Sequence, residues 1–220
     1  MIKKRDSKPI RISPPQTDEQ ITSEKSLKEW LATEETVSGF LFERYPEEGI
    51  DKPYHSIRNC TFRNQTFSDC QFRSMQLSDV RFVNCDLSNI SLAESALYRT
   101  EFISCKLVGT NLSETTLNHV LFSDCNASYI NLSMSKTNQV RFANSQLLNG
   151  SFNNCRLTST AFESCELAES DFSHTSLRGI DLRTSRINGI SLNINDLRGA
   201  IIGSLQAMDL LPLLGVIIKD

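Results

Sequence analysis

The sequence predicts an all-β solenoid of very short repeats, and three observations predict it. Every fifth residue from Phe62 to Leu197 is apolar, with Thr137 the only exception. Two residues before each lies a second series of small or β-branched side chains, such as Val80, Thr110, Ile130, Ser145 and Ile180. All seven cysteines belong to it: Cys60, Cys70, Cys85, Cys105, Cys125, Cys155 and Cys165. Finally, only 39% of the 220 residues are hydrophobic. That is thin for a globule but suits a stack of coils in which two residues in five point inward. An internal period decides the fold before any local pattern does. Period five fits neither the 3.6 of a helix nor the 2 of a flat strand. A chain that buries one large and one small residue per five must turn a corner once per repeat.

The unit small-polar-(Leu/Phe)-polar-polar resembles the pentapeptide-repeat family. The resemblance implies a right-handed quadrilateral β-helix with four repeats, or 20 residues, per coil. The residues support that interval by themselves. Sampling the large positions every 20 residues gives Phe62, Phe82, Phe102, Phe122, Phe142, Phe162 and Leu182, and sampling the small ones gives Cys85, Cys105, Cys125, Ser145 and Cys165. Coils stacked ~4.8 Å apart, as strands are, would make about seven coils into a rod of ~34 Å. Like rings would then stack, each pair adding ~0.5–1.5 kcal/mol beyond burial. At one level Ala127 and Thr137 replace large residues and Gly150 a small one, which predicts thin packing and a bend, with outward Tyr129 and Met134 as a shield.

Taken in order, residues 1–56 read as a disordered start and an N-terminal cap. Residues 1–16 carry charges, Pro9, Pro14 and Pro15 and little to bury. Asp18–Glu35 reads as an amphipathic helix presenting Ile21, Leu27, Trp30 and Leu31, and Val37–Tyr45 as a strand feeding the first coil. Pro46 and Pro53 flank an acidic loop. Residues 57–202 are the β-helix. Residues 203–220 are a capping helix and tail. Ser204 is the expected N-cap of a helix that runs through Leu214 and stops at Gly215, distorted near its end by Pro212. Leu205, Met208, Leu211 and Leu214 are expected to cover the last coil. Val216, Ile217 and Ile218 remain as an apolar tail, which needs a surface to cover it. A two-fold, tail-to-tail homodimer supplies one, with Leu210, Leu213, Leu214, Val216, Ile217 and Ile218 as its contacts; the alternative is a tail folded back on its own cap.

The cysteines read as buried thiols rather than as a disulfide ladder or a metal site, since no Cys-x-x-Cys or Cys/His cluster occurs. No cofactor is expected. The charged, proline-bearing start lacks the apolar run of a signal peptide, no stretch approaches a membrane span, and free thiols favour the cytoplasm. His55, His119 and His174 are scattered, so no catalytic constellation assembles and an enzyme is not expected.

Function is therefore left to the outward faces. Acidic and basic side chains balance between Ile57 and Ala200, but unevenly. The face centred on Phe72, Leu92 and Leu112 carries Glu94, Glu114 and Asp171 against Arg73. Its neighbour, centred on Phe67, carries Asp69, Asp86, Glu166 and Glu169 against Lys106 and Arg186. The face centred on Leu77 is basic, with Arg58, Arg99, Lys136, Arg156, Arg178 and Arg198 against Asp79 and Asp196. The face centred on Phe82 balances. Two adjoining acidic faces can meet a basic groove of the kind a DNA-binding protein offers to phosphates; the plain alternative is solubilising charge. The basic face has only Tyr98 nearby for stacking, so direct nucleic-acid binding is not expected. The stretch FSDCNASYINLS (Phe122–Ser133) and the ending SLQAMDLLPLLGVII are similar to the Qnr and MfpA group, particularly Qnr-like proteins of Gram-positive bacteria. That similarity implies a DNA-mimicking rod, dimeric through its C-terminus, which binds DNA gyrase or topoisomerase IV and reduces quinolone poisoning. The loops that interrupt many Qnr proteins are absent here, so no loop residue carries over. The other reading is a generic interaction rod without topoisomerase activity.

Overall fold

The computed structural model of the protein describes residues 10–17, 20–43 and 45–217. The chain runs through β1 (Ile21–Thr22), α1 (Leu27–Leu31), β2 (Thr36–Ser38), β3 (Phe40–Phe42), β4 (Glu47–Glu48), β5 (Ser56–Arg63), β6 (Phe67–Ser68), β7 (Gln76–Val83), β8 (Ala96–Ile103), β9 (Thr116–Ser123), β10 (Lys136–Ala143), β11 (Arg156–Glu163) and α2 (Gln206–Leu210). It is a parallel β-solenoid. β5, β7, β8, β9, β10 and β11 lie side by side, each residue opposite the one twenty further on.

The corner is a backbone property. From Tyr54 to His174 every fifth residue has a φ between 45° and 69°. Only a left-handed residue turns the chain this sharply, and Asn, Asp and Gly tolerate it best. The corner positions are accordingly rich in Asn, Asp and Ser. Where β-branched residues stand there, at Thr184 and Ile194, the left-handed corner is missing. The regular stack frays at the same place: the sheet ends at β11, and residues 176–201 are held by single bridges such as Asp181–Ile201.

Inside, Phe42, Phe62, Phe82, Phe102, Phe122, Phe142 and Phe162 stack face to face at 4.7–5.1 Å. Where a small position holds Cys, Ser or Thr, its side chain supplies a donor. The thiol of Cys85 points at the Phe62 carbonyl 3.4 Å away, Ser95 Oγ donates to Phe72 O (3.0 Å) and Thr110 Oγ1 to Leu87 O (2.7 Å), always 23 residues back. Cys, Ser and Thr are interchangeable here because each is small and each donates to the coil beneath. The thin level does not stay thin. Gly150 leaves room for the Phe152 ring, which would lie 2.8 Å from an added Cβ, and Phe152 packs edge-on against Phe142 and Phe162. Thr137 Oγ1 bonds Thr160 Oγ1 at 2.6 Å, so the polar intruder is satisfied.

Both ends differ from the sequence expectation. The lattice begins earlier: Val37 pairs with Ile57 and Phe42 with Phe62, which continues the register below residue 57. Of the helix expected over 18–35 only α1 forms, capped by a Ser26–Glu29 capping box, while Ile21 lies on β1 beside Phe40 and is exposed. Leu27 and Leu31 plug the open core. The next inward slot holds Glu47, fully buried, whose carboxylate accepts from the Leu27 N–H (2.5 Å) and Lys28 N–H (3.1 Å). A lattice position has been given to a charge because the helix end above it presents unpaired donors. Residues 10–16, read from sequence as disordered, run extended along the outside of the coils, with Pro15 buried; residues 1–9 lie outside the described residues.

At the other end Ser204 is not a cap. α2 begins at Gln206, tightens into a 3₁₀ turn over Leu211–Leu214 around Pro212, and stops at Gly215 with φ 73°. Gln206 performs the capping. It donates to Leu182 O and Ser185 O, both at 2.7 Å, and accepts from the Gly203 N–H. Leu210 and Leu213 pack on the core, not Leu205, Met208 and Leu214, which are exposed.

Two outcomes are expected. Met134→Gly removes an exposed side chain from a left-handed corner (φ 60°) and should raise unfolding stability by ~0.5–1 kcal/mol in urea titrations. Burial raises the Glu47 pKa, only partly offset by its two backbone donors. A raised pKa makes protonation easier in the folded state, so stability is gained as pH falls into the acid range and lost as it rises through the folded value. Melting curves taken downward from pH 7 through the ordinary carboxylate range should show the wild type gaining stability relative to Glu47→Gln.

Candidate interaction surfaces

The four faces are not equivalent. The strands wrap the two faces centred on Leu77 and Phe82. The faces centred on Phe67 and Phe72 are built of turns, linked coil to coil by bridges such as Asp86–Lys106 and Ser91–Asn111. The expected acidic residues all sit on these turn faces, but they do not act alike. Lys106 pairs with Asp86 at 3.1 Å and Arg186 with Glu166 at 3.2 Å, each one coil on. Desolvation pushes the Asp86 carboxyl up, but bonds from Ser88 and Lys106 outweigh it and hold it below the usual range. Asp171 is likewise half-buried: desolvation is outweighed by the Ser173 N–H (2.9 Å) and the Asn153 amide (3.1 Å). Glu94 and Glu114 are exposed and stand one above the other; Glu94 accepts from Ser74 Oγ at 3.2 Å. Asp69 and Glu169 are exposed corner residues at opposite ends of the rod. The structure thus brings Glu94 and Glu114 together and leaves Asp69 and Glu169 apart. Asp86, Glu166 and Asp171 are engaged within the wall.

On the Phe82 face the charges cancel pairwise, as in Arg81–Glu101 and Arg141–Glu163, both 2.8 Å. On the Leu77 face Arg99 forks onto Asp79 with bonds of 2.5 and 2.6 Å and lies 4.2 Å over the Tyr98 ring. Arg58, Lys136, Arg156, Arg178 and Arg198 have no acidic partner within ion-pair distance among the described residues. Pairing every twentieth residue is invisible in a count of charges per face.

The C-terminal residues also divide. Leu210 is buried and Leu213 half-buried, both packed on the chain's own core. Leu214, Val216 and Ile217 are exposed, the last at 81%, and Leu205 (85%) and Met208 (53%) join them. Ile218 lies outside the described residues. The sequence expectation assigns Leu205 and Met208 to the cap because Ser204 is the more recognisable N-cap, whereas α2 begins at Gln206.

All seven cysteines are buried and free. Burial pushes the Cys60, Cys155 and Cys165 thiols up to about 11, which keeps them protonated and unreactive. His55, His119 and His174 remain apart: His119 accepts from the Ser13 N–H at 3.1 Å, and His174 faces Asn193. Among the described residues no His/Cys/Asp/Glu group could hold a metal ion, and no helix is long and apolar enough to cross a membrane.

The repeat lattice is matched by two family models. The pentapeptide repeat region model matches residues 75–152, and the model for pentapeptide repeats in eight copies matches residues 56–92 and 151–189. No curated protein matches in sequence. Among solved structures, a trypsin-treated form of QnrB1, a plasmid-mediated fluoroquinolone resistance protein, is similar at 20% identity and a TM-score of 0.47, covering 84% of this chain and 99% of that one. Full-length QnrB1 is similar at 20% identity and a TM-score of 0.41, over 78% of this chain and 99% of the other. HetL, a pentapeptide repeat protein involved in heterocyst differentiation regulation in the cyanobacterium Nostoc sp. strain PCC 7120, has 16% identity and a TM-score of 0.33, over 83% and 95%. The two family models together span residues 56–189, in step with the coils seen here, and the chain belongs to the pentapeptide-repeat proteins.

Proposed function

We propose that this protein is a non-enzymatic DNA mimic that binds type II topoisomerases, DNA gyrase or topoisomerase IV, and protects them from quinolones. The observation that carries the reading is the Glu94–Glu114 pair. Two exposed carboxylates stand on consecutive coils of a turn face, at the coil repeat that the phenylalanine stack on the opposite face sets at 4.8–5.0 Å. A DNA strand carries one charge per ~3.4 Å, so the ladder offers a basic groove negative charge at a comparable pitch. The resemblance of the ending SLQAMDLLPLLGVII to the Qnr and MfpA group supports it further. So does the exposed apolar patch of Leu205, Met208, Leu214, Val216 and Ile217 at that end, which suits a tail-to-tail homodimer.

A second reading, a generic interaction rod, is favoured by the five uncompensated cations of the Leu77 face, which make the rod two-signed rather than acidic all round. The two separate in one assay. Purified protein should inhibit gyrase supercoiling, or restore it in the presence of a fluoroquinolone, in proportion to its concentration. The Glu94→Lys/Glu114→Lys variant should lose that effect at least tenfold, as expected when like charge meets like. Silence toward both gyrase and topoisomerase IV leaves the interaction rod. Oligomeric state is tested separately. Val216→Asp/Ile217→Asp should convert a dimer to a monomer in light scattering without lowering the melting temperature, and a persisting dimer would place the interface elsewhere.

A further inference from the structure

One segment of this chain already uses the outside of the rod as a binding surface. Residues 10–17 run extended down the corner ladder of the Leu77 face, across successive coils. Gln139 Nε2 donates to Arg11 O (3.4 Å), the Ser13 N–H donates to His119 Nδ1 (3.1 Å), and the Gln16 N–H donates to Asp79 Oδ1 (2.9 Å). Between the last two anchors lies the coil that carries Tyr98 and Arg99, and at that level Pro15 of the segment is buried. At its far end Ile10 lines a crevice of about 430 Å³ with Phe162, Arg178 and Ile180. The crevice exists because β11 is a strand whereas residues 176–183 above it are turns, and no backbone hydrogen bond joins the two. Asp79 is set for this role. Desolvation raises its pKa, but the Arg99 fork and the Gln16 N–H outweigh that and hold it ionised and accepting.

We propose that the ladder Asp79, Arg99, His119 and Gln139, with the crevice at its end, is a groove for an extended, proline-containing peptide, and that residues 10–17 are its resident, releasable occupant. The segment is a strap across the basic face, and it must lift before another chain can dock there. Its holding contacts are few, a proline, an isoleucine and three polar anchors, against the continuous ladders that hold the coils. It therefore belongs to the least stable part of the fold and opens without unfolding the rest. Pro14 and Pro15 favour the extended form, which lowers the ordering cost of docking. Being tethered to β1, the strap binds at a high effective concentration, so the groove is filled in cis by default.

The test uses the full chain. Trypsin cleavage after Arg11, followed by mass spectrometry, reports strap opening; a synthetic peptide of residues 8–20 gives the unprotected rate. Cleavage in the wild type should be on the order of tenfold slower than in the peptide. His119→Ala should recover most of that rate with an unchanged melting temperature. Ser13→Pro removes the donor from the strap side, touches no coil residue, and should do the same. Equal rates in the wild type and the peptide would overturn the proposal. So would protection that grows with protein concentration, since the segment would then be docking on a second copy. Variants that expose Arg11 only while lowering the melting temperature would also overturn it, because the segment would then be a fixed part of the fold.

Discussion

Everything in this molecule depends on a left-handed residue at every fifth position. It is unfavourable for an L-amino acid, by ~1–2 kcal/mol where the side chain is ordinary, and Arg99, Tyr129, Met134 and Gln139 accept it. What offsets it is the closure it permits. Each corner turns the large residue at the centre of the next face inward, and twenty residues later the same ring meets its counterpart. The phenylalanine stack and the Cys/Ser/Thr donors 23 residues back are both consequences of that return. Past Phe162 the stack ends on Leu182, Thr184 and Ile194 do not take the corner, the sheet ends at β11, and a crevice opens where strand and turn fail to match.

A solenoid leaves raw coil at each end, and this chain uses polar side chains in both places. At the start, Glu47 gives up an apolar slot to accept from the first N–H groups of α1, which lets Leu27 and Leu31 sit as a plug. At the finish, Gln206 reaches back with donor and acceptor together and draws Leu210 and Leu213 onto the last coil. The two solutions differ in consequence. The first is closed and capped by its own helix, whereas the second leaves Leu205, Met208, Leu214, Val216 and Ile217 facing outward.

The lattice, its register and its 20-residue coil were legible because they are periodic, and each residue repeats the statement of the one before. The ends were not, because each is a local exception to the period. Lys52 and Glu47 break the apolar series, which hides the lattice before Ile57 although Val37 and Phe42 already obey it. Gln206 carries no signature that a composition or capping rule would select. The charges were half legible. Their faces follow from the period, but their pairing does not: Lys106 silences Asp86 and Arg186 silences Glu166 because each stands one coil on. The strap was illegible for a simpler reason. Its polar, proline-bearing residues bury almost nothing among themselves, and only the assembled ladder gives them partners.

These features together divide the labour of the faces. The strands take the Leu77 and Phe82 faces, where residues on successive coils pair in continuous register; charges cancel on the Phe82 face, as in Arg81–Glu101, and the Leu77 face carries both uncompensated cations and the strap. The turns take the other two, where the left-handed corners carry side chains from Ser74 and Asn89 to Tyr129 and Met134. A partner that recognises spaced charge finds it on the turn faces, at Glu94 and Glu114, with no strap in the way. A partner that recognises an extended groove must compete with residues 10–17. The same rod thus presents one side that is open and sparse and another that is rich in contacts but occupied, and the corner residue, which sets the pitch of both, fixes where each begins.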